Sequence, residues 1–275
     1  MTGDGTAGGV FLPRLTALLT GLTSQDEAFG EGAGLMAAAL AGDGLVHLFG
    51  SGHSVIPVME SFPRYGSFAG LHPLIDPRLS WWEVLGPGGV QELLWLERTE
   101  GYIGNFLGHR PIHPGDVLIV FSHGGRNAAP VEAAMAGQQR GARVIGVTSR
   151  ANLSRPAGHS SGQRLADVAD VVIDTGVPAE DALVTLDGWG APVGGASTIV
   201  ACSCMTELLT RTAARLAGQG VTLPTFVCPT APGATQEAND EVFAAYRERV
   251  QRAAARGSGP GGSGSGGAAG ATAAP

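Results

Sequence analysis

Lysine is missing from all 275 residues, and each of the seventeen basic side chains is an arginine. That absence excludes a lysine Schiff base with a carbonyl substrate. It also excludes a phosphate-loop lysine reaching a nucleotide γ-phosphate. Cysteine is scarce as well: Cys202, Cys204 and Cys228 make three, too few for a disulfide framework. Cys202 and Cys204 are two apart in a helical segment, so they point in different directions and read as small buried hydrophobes, not a metal pair. No block of arginines interrupts a chain of formal net charge −7, which argues against a nucleic-acid-binding face. No uncharged apolar run reaches the roughly 18 residues of a membrane span, and the N-terminus lacks a basic segment followed by an apolar stretch. The expectation is a cytoplasmic protein with neither a membrane nor a nucleic-acid partner. His47 falls mid-strand as a core residue, and His72, His109, His113 and His159 do not group into ligand spacing. Neither a metal site nor a cofactor is expected.

What is present is apolar material: 44% of the residues are hydrophobic. Residues 257–275 are almost wholly Gly, Ser, Ala, Thr and Pro. Such a stretch buries too little surface to offset its ordering entropy and reads as a disordered tail. The rest divides into an N-terminal helical segment, 1–44, and an α/β domain with a C-terminal helix, 45–256. Helical spacing covers Phe11 to Leu22, Ala33 to Leu40, Val55 to Phe62, Pro130 to Gln139, Gly194 to Leu216 and Asn239 to Arg256, with Ser54 as a helix N-cap. Strands are expected at Leu45–Phe49, Leu71–Ile75, Val117–Phe121, Arg143–Val147 and Val171–Ile173, with a short apolar run at Phe226–Cys228. Between Leu79 and Gly108, Trp81, Trp82 and Pro87-Gly88-Gly89 suggest a loop, and Gln91 to Arg98 a helix turn or two.

Strands alternating with helices at this spacing predict a three-layer αβα, doubly wound sheet of about five parallel strands, order 2-1-3-4-5, flavodoxin-like. Two of the strands run into glycine- and hydroxyl-rich loops. The first loop is Gly50-Ser51-Gly52-His53-Ser54, and the second is Ser122-His123-Gly124-Gly125-Arg126-Asn127. A strand that ends in small residues and opens a helix leaves N–H groups and a helix dipole aimed at an anion. In the predicted order the two loops flank the topological switch point, where ligands bind.

The second loop with its flanks, Gly115 to Asn127, and the run Arg140 to Ser149 resemble a sugar isomerase (SIS) domain. The first loop, Leu96-Glu97-Arg98-Thr99-Glu100-Gly101-Tyr102 and Gln236-Glu237-Ala238-Asn239 are similar to that family too, and in particular to its small stand-alone members. The resemblance spans roughly residues 10 to 250. It implies a sugar phosphate bound by hydroxyls and amides of Ser51, Ser54, Ser122 and Asn127, and a homo-oligomer, dimer or tetramer, with a neighbouring subunit completing the site. The chain departs from the family where a second-loop serine gives way to Gly124, and where Arg64-Tyr65-Gly66 replaces the more usual Arg-Ala-Gly. The segment Cys228-Pro229-Thr230-Ala231-Pro232 is also unusual.

Aldose–ketose isomerisation needs a base to move a proton between adjacent carbons and an acid to open the ring. Glu60 lies six residues after Ser54 on the helix that leaves the first loop, within about two turns of a bound phosphate; it is the expected base. His53 lies in the loop itself, placed for ring opening or phosphate contact, and His123 holds the corresponding place in the second loop. Arg126 offers a bidentate partner to phosphate. Glu97, Glu100 and Asn239 are secondary candidates through the resemblance alone. A phosphosugar isomerase is the leading expectation. A non-catalytic phosphosugar sensor is the second, although some 44 residues before the first strand are too few for a helix-turn-helix domain plus linker. A lyase acting on an N-acetylated amino-sugar phosphate is a further variant. A dinucleotide oxidoreductase is a weaker one, because Gly50-x-Gly52 and Asp76 mimic only part of that fingerprint.

Overall fold

The computed structural model of the chain describes residues 10–80 and 89–256. The expected tail at 257–275 and the stretch 81–88 lie outside the described residues. Helix α1 (Phe11–Gly21) passes through a 3-10 turn at Leu22–Gln25 into α2 (Asp26–Ala41). Then come β1 (Val46–Gly50), a 3-10 turn at Gly52–Val55, α3 (Ile56–Ser61), β2 (Leu71–Leu74) and three short helices, α4 (Pro77–Ser80), α5 (Gly89–Leu96) and α6 (Tyr102–Leu107). The pattern continues with β3 (Val117–Phe121), α7 (Ala128–Gln139), β4 (Arg143–Thr148), α8 (Leu165–Val168) and β5 (Val171–Asp174). A small hairpin, β6 (Ala182–Val184) and β7 (Val193–Gly195), leads into α9 (Ser197–Gly218), and α10 (Gln236–Arg256) closes the described chain.

All five long strands are parallel in the order β2-β1-β3-β4-β5, as the alternation predicts. Their side chains sort by the two-residue period of a strand. Val117, Ile119 and Phe121 enter the core under α2, α3, α9 and α10. Leu118 and Val120 enter the core under α5, α6 and α7. Helix α7 is rich in alanine, and its Gly137 lies so close to β3 that a Cβ there would come within 2.9 Å of Leu118 Cδ2. The sequence expectation differs in three places. The segment after the first loop opens as a 3-10 turn entered from Ser51, so Ser54 does not cap a helix that begins at Val55. The region around Phe226 forms only a bridge between Phe68 and Thr225. The hairpin β6–β7 lies where no strand is expected.

The outer edge of β5 is closed by a side chain. Gln25 Nε2 donates to the Asp174 carbonyl at 2.6 Å, and the Asp174 N–H donates to Gln25 Oε1 at 2.9 Å. One amide thus occupies the outward N–H and carbonyl of Asp174, one of the rungs that a sixth strand would use.

Helix α10 docks through Val242, Ala253 and the rings of Phe243 and Tyr246, and also through polar contacts. Buried Arg249 donates to the carbonyls of Leu40 (3.0 Å) and Gly44 (2.8 Å). Arg256 reaches Asp116 at 3.3 Å, and Tyr246 hydrogen bonds His72 Nδ1 at 2.9 Å. His72 pairs in register with His47, which contacts Asp116 at 3.2 Å and is fully buried. Burial opposes ionisation of Asp116. Bonds from His47 and from the N–H groups of Leu45 and His113 outweigh it and hold the carboxyl below its ordinary range. His72 is driven down to about 4, chiefly by burial and then by His47 and Arg110.

The unfolded chain, with a histidine near 6.5, therefore binds more protons than the native state between that value and about 4. Stability falls as pH falls through this window, with a total loss of about 3 kcal/mol from His72. Burial lowers His47 as well, so part of the slope survives without His72. Urea titrations at pH 7, 6, 5 and 4.5 will show a shallower dependence for His72→Gln than for the wild type; equal slopes would refute the assignment.

Candidate ligand-binding site

Strands β1 and β3 are neighbours, and Gly50 at the end of one pairs with Phe121 at the end of the other. Their following loops therefore start side by side. A Cβ at Gly50 would overlap the Ser54 carbonyl, because the first loop turns back on itself at once. Gly52 has φ +57° and Gly125 φ +59°, and a Cβ on Gly125 would run into Thr148 Oγ1. These positions require glycine. Gly124 does not: its φ is ordinary and an added Cβ would meet only the Arg126 side chain, at 3.5 Å from Cγ and 3.9 Å from Cδ.

The two loops converge. Ser54, Ser122 and His123 line one crevice with Thr175 and with Ser197 and Thr198 at the start of α9. The crevice holds about 10 Å³, room for about a single water. The Ser122 hydroxyl accepts the Gly125 N–H at 3.1 Å, leaving its own proton to donate. Ser54 Oγ carries no partner among the described residues. His123 Nε2 faces the Ala179 carbonyl at 3.3 Å, and its Nδ1 is buried and unpartnered there. Arg126 Nε is likewise buried without a partner among the described residues.

Glu97, at the end of α5, joins the loops. Ser51 Oγ donates to its Oε2 at 3.0 Å, and Asn127 Nδ2 to its Oε1 at 2.7 Å. Its own carbonyl accepts the Ala129 N–H at 2.9 Å, fixing the first turn of α7. Burial pushes the Glu97 carboxyl above its usual range, and the bonds from Ser51 and Asn127 pull part of the way back. Ser51 and one N–H of Asn127 are therefore engaged by Glu97, and Ser54 and Ser122 are the hydroxyls of the two loops that face the crevice.

The other candidates lie elsewhere. Glu60 is 46% exposed and pairs at 2.7 Å with Arg64, four residues on and past the end of α3; it faces grooves shared with Cys202 and Thr206 on α9. His53 is on the exposed side of the first loop. Glu100 takes both the N–H and the hydroxyl of Ser160 at 2.6 Å. Asn239 is engaged in both directions with the Val227 backbone at 3.0 and 3.1 Å. Asp76, the acid that a dinucleotide reading needs, is buried against Arg78 and Tyr102. Among the described residues no cluster of His, Cys, Asp or Glu has the arrangement of a metal site, and no helix is long and apolar enough to cross a membrane.

The sequence pattern of the SIS domain matches residues 11–149. The chain belongs to the SIS domain family. A UPF0309 protein of Listeria monocytogenes serotype 4b (strain CLIP80459) is 31% identical over 221 residues, covering 80% of this chain and 87% of the relative. A UPF0309 protein of Streptomyces coelicolor is 35% identical over 244 residues, covering 88% and 96%. Among solved structures, a phosphoheptose isomerase from Francisella tularensis superposes with TM-score 0.48 at 16% identity, over 77% of this chain and 98% of that one. A phosphoheptose isomerase from Neisseria gonorrhoeae superposes with TM-score 0.45 at 14% identity, over 74% and 95%. In this SIS domain the sequence motifs located both loops, while the carboxylate that ties them together carried no local signal beyond its place in Leu96–Tyr102.

Calorimetry will separate the two kinds of loop glycine. Gly50→Ala forces the loop open and costs about 3 kcal/mol or more, which lowers Tm by about 6 °C or more. Gly124→Ser stays within about 0.5 kcal/mol of the wild type. Equal effects at the two positions would refute this reading of the loop geometry.

Proposed function

We propose that this SIS-domain protein binds a sugar phosphate in the crevice between the two loops and interconverts its aldose and ketose forms. The observation that carries the reading is Glu97, a carboxylate with raised pKa bonded at once to Ser51 of the first loop and Asn127 of the second. Moving a proton between adjacent carbons needs a base whose pKa approaches neutrality, and burial is the ordinary means of raising a carboxylate toward it. Glu97 takes that role in our reading, in place of the half-exposed Glu60. The hydroxyls of Ser54 and Ser122 and the guanidinium of Arg126 receive the phosphate, with the loop glycines Gly50, Gly52, Gly124 and Gly125 allowing close backbone approach. His53 at the rim serves ring opening. A phosphate is larger than the space between the loops, so the crevice widens as the ligand enters.

Exposed Ile56, Met59 and Ile199 lie beside Glu60 on α3 and α9. They support a homo-oligomer in which a second copy covers this face and Glu60 acts as a contact residue.

Two conservative variants test the assignment against a panel of aldose 5- and 6-phosphates, with turnover followed by NMR and binding by calorimetry. Glu97→Gln lowers turnover by about 10²–10⁴-fold while ligand affinity changes only a few-fold; Glu60→Gln keeps turnover within a few-fold. Loss of turnover in Glu60→Gln alone would restore Glu60 as the base. Saturable binding with no turnover of any sugar in the wild type would make the protein a sensor. Gly124→Ser adds a hydroxyl donor beside the phosphate and tightens binding about tenfold, the worth of one hydrogen bond to a charged group; unchanged affinity would place the phosphate elsewhere.

A further inference from the structure

A large groove lies away from the two loops, between α1 and the edge of the sheet. It encloses about 870 Å³, within the range of small-molecule sites. Ala17, Leu18, Leu22 and Ala28 form one wall, and Val172 and Leu183 form the other. All are aliphatic, with no aromatic ring on which a nucleobase or a sugar face could stack.

Most of the polar side chains around this groove are already engaged. Gln25 is committed to Asp174 through both its amide atoms. Asp174 Oδ1 accepts the N–H groups of Arg150 and Gly176 at 3.0 Å. Ser24 donates to the Gly21 carbonyl at 2.8 Å, and Thr175 Oγ1 faces the Val177 N–H at 3.5 Å. Two cations remain. The Arg150 guanidinium has no partner among the described residues, and Arg14 commits only Nη1, to the Leu183 carbonyl. Two carboxylates share the lining, exposed Glu27 and Asp174, whose Oδ2 is not engaged among the described residues; they partly offset the two arginines and oppose a second negative charge on the occupant. Aliphatic walls, engaged polar groups and two available guanidinium groups specify an aliphatic body with one anionic head.

The far wall of the groove reaches the ligand crevice. Thr175 lines both cavities. The segment that follows it offers the Val177 carbonyl to Ser149 and the Ala179 carbonyl to His123 at 3.3 Å. At its end, Asp181 accepts the N–H groups of Ala196 and Ser197 at 2.9 and 2.7 Å, at the start of α9. A body wedged against Gly176 and Pro178 therefore pushes on the residues that hold His123 and α9 against the loops.

We infer that this groove is an effector site for a medium-chain carboxylate and that its occupancy is transmitted through residues 175–181 to the crevice. The site does not depend on the sugar-phosphate reading, since none of its side chains belongs to the two loops.

Calorimetry on the full chain with hexanoate, heptanoate and octanoate, all below micelle-forming concentrations, tests it. Each methylene tightens binding about fourfold. Arg150→Ala weakens octanoate about tenfold, because it removes a charged partner without breaking a fold contact. Ala17→Trp fills the groove from its exposed wall and abolishes binding. Octanol binds at least tenfold more weakly than octanoate, and octylammonium does not bind. In spectra of histidine-labelled protein, octanoate shifts the His123 ring resonances of the wild type and leaves those of Ala17→Trp unchanged. No binding of octanoate at millimolar concentration would overturn the site, as would affinity indifferent to chain length, Arg150 or Ala17. An Ala17→Trp variant that changes the oligomeric state while octanoate fails to bind would assign the groove to a second copy instead. Binding without any response of His123 would overturn the transmission.

Discussion

The register between β1 and β3 is the constraint on which the site depends. Gly50 pairs with Phe121, so both strands end at the same height, and the chain leaves them toward helices on opposite faces of the sheet. Helix α3 lies on one face and α7 on the other, and the crevice between them follows from that divergence. Slipping the pairing by one residue would invert every side chain of β1 between the two cores. Val46 and Leu48 are buried under one layer of helices and Phe49 under the other, so packing on both faces defends the position of two loops that themselves contain little apolar surface.

Glu97 turns two adjacent loops into one site. Neither loop carries much rigidity of its own: each contains glycine at positive φ, which eases the turn but also widens the unfolded ensemble. A single carboxylate accepting one donor from each loop fixes their separation. In return, a charge is held where burial disfavours it. The same placement that orders the loops thus holds a carboxyl above its ordinary range, the kind of perturbation that burial produces.

The architecture was largely legible because it rests on local patterns. Apolar runs ending in small residues, such as Val117–Phe121 before Ser122, mark buried parallel strands, and their alternation with helices implies the strand order. Glu97 was far less legible. Its partners lie 46 and 30 residues away, and nothing in its own neighbourhood announces them. Distance along a helix placed Glu60 near the first loop but could not say which way its side chain turns. The four-residue spacing to Arg64 was the available clue. Helix α10 was readable as amphipathic, whereas its docking through Arg249 to the carbonyls of Leu40 and Gly44 was not. Backbone acceptors leave no residue pattern. The hairpin β6–β7 escaped for a related reason: three-residue strands containing Gly194 and Gly195 lack the alternation that identifies longer ones.

The Gln25 amide on β5 bears on how these molecules behave toward one another in a crowded solution. A five-stranded open sheet has two free borders, and a bare border invites the same border of another molecule, which can continue into an open-ended stack. Here one rung of that border is already satisfied from within the chain. A polar side chain at the turn between two helices therefore blunts that border at one position, and it does so without adding charge.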